Sequence, residues 1–130
     1  MLKNSNSIVM EGNLVRDPVV VTTPTGSQVY KFSIAHNRYY TVNNEKRSEV
    51  SFFDVEVWNQ TAAKCLDLLK KGKAVRVAGR LKQDRWLDDQ GKQHSRVKII
   101  GNDIQAFPQL SETKNLTENE DIDDEELVNF

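Results

Sequence analysis

Aromatic side chains stand among charged ones at several points of this 130-residue chain. In segment 50–58, VSFFDVEVW, alternate side chains are apolar and can face a core. The other set includes Asp54 and Glu56 and should therefore face water, yet it also holds Phe52 and Trp58. Exposed rings on a charged strand can stack on nucleobases. They can equally pack under a loop or at a subunit contact, and the segment by itself leaves both interpretations open.

Segment 74–86 combines basic residues with a tryptophan in the same way, which favours the nucleobase interpretation. A row of cations that ends in a ring can offer charge to phosphates and a stacking surface to a base. The positions that strand alternation predicts to face inward are Val75, Val77 and Leu81. The positions predicted to face outward are Arg76, Ala78, Arg80, Lys82, Asp84 and Trp86.

A third group of this kind adjoins segment 41–49, TVNNEKRSE, which is predicted to be a long loop. Arg38 and Tyr40 precede the loop, and Lys46 and Arg47 lie within it. Basic residues interleaved with aromatic ones are typical of proteins that bind single-stranded nucleic acid. A duplex binder has less use for exposed rings, because the bases of a duplex are already stacked.

The net charge of −1 conceals two oppositely charged parts. Residues 1–110 contain seventeen Lys or Arg against eleven Asp or Glu, whereas residues 111–130 contain one Lys against eight acidic residues. A basic body suggests a polyanionic partner, and a separate acidic segment suggests a separate role.

Catalysis and metal binding are not indicated. His36 and His94 have no Cys or second His at ligand spacing, so no zinc site is predicted. The segment KKGKAV lacks the earlier glycine and the following Ser or Thr of a phosphate-binding loop. We therefore expect no enzyme activity, no cofactor and no metal.

A cytosolic location is expected. Cys65 is the single cysteine, which excludes an internal disulfide and agrees with a reducing compartment, and its apolar neighbours predict that it is buried. No apolar run approaches the roughly 18 residues of a membrane helix, and the N-terminal segment has no secretory signal pattern.

The order of elements predicts an all-β domain with one short helix over residues 1–110. Five or so strands are expected, and helical spacing in segment 60–72 places a helix between the third and fourth of them. Asn59 or Thr61 could cap its start, and Gly72 could end it. This layout favours a five-stranded OB-fold, a Greek-key barrel, over a β-sandwich or another small barrel. Residues 111–130 lack apolar periodicity and are predicted to be a disordered acidic tail.

Three blocks of sequence resemble the bacterial single-stranded DNA-binding protein family. They are EGNLVRDP at 11–18, VYKFSIAHNRYY at 29–40, and the segment from VSFFDVEVW to LKQDRW at 50–86. The resemblance implies an OB-fold that assembles, usually as a homotetramer, and wraps single-stranded DNA without sequence preference. It implies base stacking by four aromatic residues: Tyr40, Phe52, Trp58 and Trp86. The residues expected to contact phosphates are Arg38, Lys46, Arg47, Lys71, Lys82 and Arg85.

The resemblance also implies that the acidic C-terminal tip recruits replication, recombination and repair proteins. The tip residues are Asp123, Asp124, Glu125, Glu126, Leu127, Val128, Asn129 and Phe130. This chain departs from the family in its tip, which reads ELVNF, and in Asp84, which falls in a stretch that is usually basic. The expected location is the cytoplasm, in association with the nucleoid. The alternative functions are an OB-fold adaptor of the primosome type, which docks other proteins, and an RNA-binding OB-fold.

Overall fold

The computed structural model describes residues 4–107. The predicted acidic tail, 111–130, and its tip lie outside the described residues. Six strands, one turn of α-helix and one 3₁₀ segment make up the described part. Their bounds are β1 Ile8–Leu14, β2 Val19–Thr22, β3 Gln28–Val42, β4 Glu45–Trp58, α1 Asn59–Ala62, the 3₁₀ segment Ala63–Leu68, β5 Ala74–Leu87 and β6 Gln93–Phe107.

Five of the strands close into a barrel. The strand order is β1-β5-β6-β4-β3-β2, and an additional pairing of β1 with β3 joins the two sides. The pairing of β4 with β6 is parallel and the others are antiparallel, while β2 pairs only with β3. The helical segment lies between the third and fourth barrel strands. The prediction of an OB-fold barrel with one short helix is therefore confirmed, and the sandwich alternative is excluded.

The barrel interior is filled by the apolar faces that strand alternation predicts. Val55 and Val57 of β4 and Val75 and Val77 of β5 are at most 1% exposed. Leu81, which was predicted to face inward, is 41% exposed. Its partner across the ladder is the buried Ile99, so it lies on the predicted inward face. It is nevertheless exposed because β5 pairs with β1 only as far as Gly79, so β1 does not cover Leu81.

A β-bulge lies at the base of the β5–β6 arm, which consists of residues 80–100 of β5, β6 and their turn. Residues 98–100 of the arm still pair with β4, and beyond them the arm is two-stranded. The register of β5 and β6 shifts between Ala78, which faces Asp103, and Gly79, which faces Gly101. A Cβ at Gly79 would collide with the carbonyl oxygen of Ile100, so glycine is required at this close approach. Bulges increase the local twist and redirect the residues beyond them.

The predicted long loop at 41–49 is wrong. β3 continues to Val42 and β4 begins at Glu45, so a turn of only two residues joins them. Asn43 and Asn44 take positive φ values of 52° and 66°. Asparagine tolerates this left-handed conformation, and two such residues form the tight turn that suits the twist of a hairpin. Lys46 and Arg47 therefore lie on a strand.

The helical segment is shorter and less regular than helical spacing predicted. One α-helical turn is followed by 3₁₀ geometry, with a break at Cys65. Trp58 is the N-cap residue and no side chain caps the start, so the predicted caps at Asn59 and Thr61 are not formed. Leu68 ends the segment well before Gly72. Cys65 is buried, as expected, and Ala62 and Leu69 join the same core cluster. Within residues 4–107, no helix is long and apolar enough to cross a membrane.

Candidate nucleic-acid interface

The outer face of β4 exposes two aromatic rings. Phe52 is 62% exposed and Trp58 is 39% exposed, and both alternate with the buried Val55 and Val57 along the strand. The two rings are six positions apart along β4, which corresponds to about 20 Å at about 3.4 Å per residue. The predicted wet face of this strand is therefore confirmed, and no loop within residues 4–107 covers Phe52.

The ring of Trp86 is exposed on the arm and is backed by a histidine. Trp86 pairs with His94 across the β5–β6 hairpin, and the two rings stack with centroids 5.6 Å apart and planes 18° apart. Trp86 remains 47% exposed. His94 covers one side of the indole, which leaves the exposed surface of the ring for another stacking partner. Sequence reasoning missed His94, and the signal that could have found it is its cross-strand register with Trp86.

Asp88 holds His94 from the turn of the arm. Its Oδ2 lies 2.8 Å from Nε2 of His94, while its Oδ1 accepts hydrogen bonds from the backbone N–H groups of Gln90 and Lys92. The hydrogen bond with His94, and then those with the backbone, hold the pKa of Asp88 below its usual range. The turn therefore orients the imidazole that supports Trp86.

Tyr40 lies on the other face of the β3–β4 hairpin. Ala35 pairs with Phe52 and Tyr40 pairs with Arg47 in one continuous register. Strand alternation therefore makes the side chains of Tyr40 and Phe52 project from opposite faces of the hairpin. The guanidinium carbon of Arg38 lies 4.6 Å from the centroid of the Tyr40 ring. Phe52, Trp58 and Trp86 thus share the outer surface, whereas Tyr40 lies on the opposite face of the β3–β4 hairpin.

An ion-pair network connects β4, β6 and β5 between these rings. Lys98 Nζ lies 2.6 Å from Oε2 of Glu56 and 2.8 Å from Oδ2 of Asp84. Lys82 Nζ lies 2.6 Å from Oδ1 of the same Asp84. Hydrogen bonds from Lys82, and then from Lys98, lower the pKa of Asp84 to about 2. Burial opposes the charge of Lys98, but its hydrogen bonds to Asp84 and Glu56 outweigh this and raise its pKa.

A second branch of the network is centred on Asp54. Arg96 Nε lies 3.2 Å from Oδ2 of Asp54, and Ser33 donates a hydrogen bond of 2.8 Å to Oδ1. Lys31 extends the charged surface onto β3, 3.8 Å from Glu56. Neither Lys31 nor Ser33 was anticipated as part of the site, because only the register of β3 with β4 brings them to it.

The predicted phosphate contacts are all exposed but form three separate groups. The β3–β4 hairpin carries Arg38, Lys46 and Arg47; the arm carries Lys82 and Arg85; and Lys71 follows the helical segment. Most of these cations already have polar neighbours. The shortest contacts are Arg38 with Glu49 at 3.7 Å, Arg47 with Glu45 at 2.9 Å, Lys82 with Asp84 at 2.6 Å, and Arg85 Nε with Gln83 at 3.1 Å.

Comparison with known proteins identifies the family. The model of the single-strand binding protein family matches residues 5–107, which is almost the whole described domain. The chain belongs to this family. It is 38% identical over 109 residues to the single-stranded DNA-binding protein of Borreliella burgdorferi, covering 83% of this chain and 73% of that protein. It is 36% identical over 103 residues to that of Aquifex aeolicus, covering 78% and 69%.

Solved structures of the family share the barrel. The Plasmodium falciparum SSB in complex with ssDNA gives a TM-score of 0.71 at 25% identity, covering 82% of this chain and 97% of that one. A deletion mutant of the Thermus aquaticus single-stranded DNA binding protein gives a TM-score of 0.68 at 26% identity, covering 79% and 50%. Within residues 4–107, no group of three His, Cys, Asp or Glu side chains is placed to hold a metal ion.

Proposed function

We propose that this chain binds single-stranded DNA without sequence preference, as the relatives named above are named for doing. The observation that carries the proposal is the outer surface of the barrel, where Phe52, Trp58 and Trp86 are exposed among cations. Each stacked base contributes roughly 1–3 kcal/mol, and stacking tolerates any base because every base has a π-face. The role is binding and protection of the strand rather than catalysis, and it requires no cofactor.

The biological setting that fits this activity is DNA replication, recombination and repair, in the cytoplasm and on the nucleoid. Each of these processes exposes single strands that must be covered. Family membership supports this assignment, and so does the basic character of residues 1–110.

A titration of the full chain with poly-dT, duplex DNA and poly-U tests the proposal. We expect tight binding to poly-dT, much weaker binding to duplex DNA, and a steep loss of affinity with salt. Equal affinity for single strands and duplex would contradict it. Tighter binding to poly-U than to poly-dT would favour the RNA-binding alternative, because a stacking ring does not itself distinguish the two backbones.

The active form is proposed to be a homo-oligomer, most simply a tetramer. One OB-fold covers only about 4–16 nucleotides, so joining copies would lengthen the track. Residues 8–12 of β1 pair with β5 but have no ladder partner on their other side within the described residues, and Val9 is 54% exposed. Such an edge can pair with another copy. Size-exclusion chromatography with light scattering tests this, and a monomer at micromolar concentration would contradict it.

Residues 111–130 are proposed to form a separate unit that recruits replication, recombination and repair proteins. A partner with a basic rim around an apolar pocket could hold the carboxylates from Asp123 to Glu126 by charge. The ring of Phe130 would enter the pocket. The boundary between this unit and the DNA-binding domain is placed near residue 110.

A further inference from the structure

Asp84 is a carboxylate on the surface that is proposed to bind a polyanion. It lies on β5, two residues before Trp86 and on the same face of the strand. Its two oxygens are taken up by two lysines, with Lys82 at 2.6 Å and Lys98 at 2.8 Å. The carboxylate therefore forms ion pairs with cations that would otherwise face the bound strand.

The two lysines differ in their exposure and in their other ion-pair partners. The side chain of Lys98 is 14% exposed and has a second carboxylate, Glu56, at 2.6 Å, so it is held within the network. The side chain of Lys82 is 47% exposed, and Asp84 is its ion-pair partner among the described residues. Lys82 can therefore exchange Asp84 for a phosphate, whereas Lys98 stays where it is.

We propose that Asp84 competes with DNA phosphates for Lys82 and so limits both the affinity and the salt dependence of single-stranded DNA binding. This inference rests on the proposed function. When the strand binds, Lys82 leaves Asp84 and contacts a phosphate. Asp84 then shares Lys98 with Glu56, and the excess negative charge of the two carboxylates opposes the strand. Removing that charge should strengthen binding.

A purely structural role for Asp84 predicts the opposite sign. Through Lys98 and Glu56, Asp84 links the arm that carries Trp86 to the strand that carries Trp58. If this link were what mattered, weakening it would misplace the rings and reduce affinity. The direction of the change in affinity therefore separates the two roles.

The experiment is a titration of a labelled oligo-dT with the full chain and its Asp84→Asn variant over a range of salt concentrations. The amide has nearly the same shape, and its oxygen can still accept a hydrogen bond from Lys98. We expect roughly two- to fivefold tighter binding at low salt, the range of an exposed ion pair. The slope of log K against log salt should steepen by about 0.7, the effect of one phosphate charge on a single strand, because in the natural chain the carboxylate that Lys82 leaves offsets that charge. The gain should fade as salt rises.

Two sets of variants test whether the gain in affinity arises from the pair of Asp84 and Lys82. Asp103→Asn changes the net charge equally and also breaks an exposed ion pair, that of Lys64 and Asp103 at 2.9 Å, so it should give a clearly smaller gain. Lys82→Gln should weaken binding little in the natural chain but more in the Asp84→Asn background. Thermal unfolding of each variant checks that the domain remains folded.

Three outcomes would overturn the inference while the proposed function stands: Asp84→Asn binds no tighter than the natural chain, Asp103→Asn gives an equal gain, or the gain persists without Lys82. If the natural chain does not bind oligo-dT at all, the proposed function fails and this inference fails with it.

Discussion

At the scale of single residues, the ring of Trp86 depends on a neighbour that carries no obvious signal in the sequence. His94 stacks on it at 5.6 Å, and Asp88 fixes the imidazole from the turn at 2.8 Å. A ring that is already oriented loses less conformational freedom when a base stacks on it. We therefore predict that His94 positions Trp86 for DNA binding.

His94→Ala should weaken poly-dT binding by about 1 kcal/mol, the magnitude of an aromatic pair. His94→Phe keeps a ring beneath Trp86 without the contact to Asp88, so it should restore most of the loss. Titration with poly-dT measures both, and the intrinsic fluorescence of tryptophan reports whether the surroundings of the indoles change. If the Phe variant binds as weakly as the Ala variant, the stacked ring is not what positions Trp86.

Stacking residues and phosphate-contacting residues should differ in their salt dependence. Trp58→Ala should weaken poly-dT binding by about 1–3 kcal/mol with little change in the salt slope. Lys71→Ala should reduce the slope of log K against log salt by roughly 0.7. Affinity measured over a range of salt concentrations tests both. If Trp58→Ala instead unfolds the domain, its ring is a core component, although it is 39% exposed.

At the scale of elements, the direction of the β5–β6 arm depends on the bulge at Gly79. β5 pairs with both β1 and β6 up to this residue and with β6 alone beyond it. The bulge bends the paired strands where they leave the barrel, and Trp86 and the cations of the arm lie beyond the bend. A glycine that permits the close approach of two backbones thus has consequences for the proposed DNA-binding surface.

Gly79→Ala should destabilise the domain by about 3 kcal/mol, the upper end of overpacking penalties. The added methyl group meets the backbone carbonyl of Ile100, which has no freedom to move aside. Gly91→Ala is the control, because its methyl group meets open space and only its φ of 80° is unfavourable. It should cost about 1 kcal/mol. Urea unfolding measures both, and equal costs would show that the bulge tolerates a side chain.

At the scale of the whole molecule, charge divides the chain into two parts that should oppose each other. The body has a surplus of cations and residues 111–130 have a surplus of carboxylates. At low salt the acidic segment should compete with DNA for the body. The side chain of Phe130 carries no charge and so adds nothing to that competition, which is the reason for assigning Phe130 to partner binding.

Phe130→Ala keeps every charge, so it should leave DNA affinity and its salt dependence nearly unchanged while abolishing capture of family-typical repair proteins from a lysate. Removal of residues 121–130 should also lose the partners, but with a gain in DNA affinity that fades as salt rises. Pull-down and poly-dT titration on the same samples measure both effects. Retention of partners by Phe130→Ala would show that the aromatic end is not a docking group.

Local patterns in the sequence favoured the barrel and predicted part of its core. Alternation along a strand depends only on the backbone period of two, so the burial of Val55, Val57, Val75 and Val77 follows from residue order alone. The three sequence blocks predicted the family, which the match over residues 5–107 confirms. The same local reasoning found Phe52, Trp58 and Trp86 as exposed rings.

Tertiary structure decided everything that depends on which residues of different strands meet. The stacking of His94 on Trp86, the ion pairs of Lys98 with Glu56 and Asp84, and the placement of Tyr40 away from Phe52 all arise from cross-strand register. The predicted loop at 41–49 was wrong for the same reason, and so was the expectation that Leu81 would be buried. Register and strand length are set by turns, bulges and barrel closure, and these involve residues too distant along the chain for a local pattern to report.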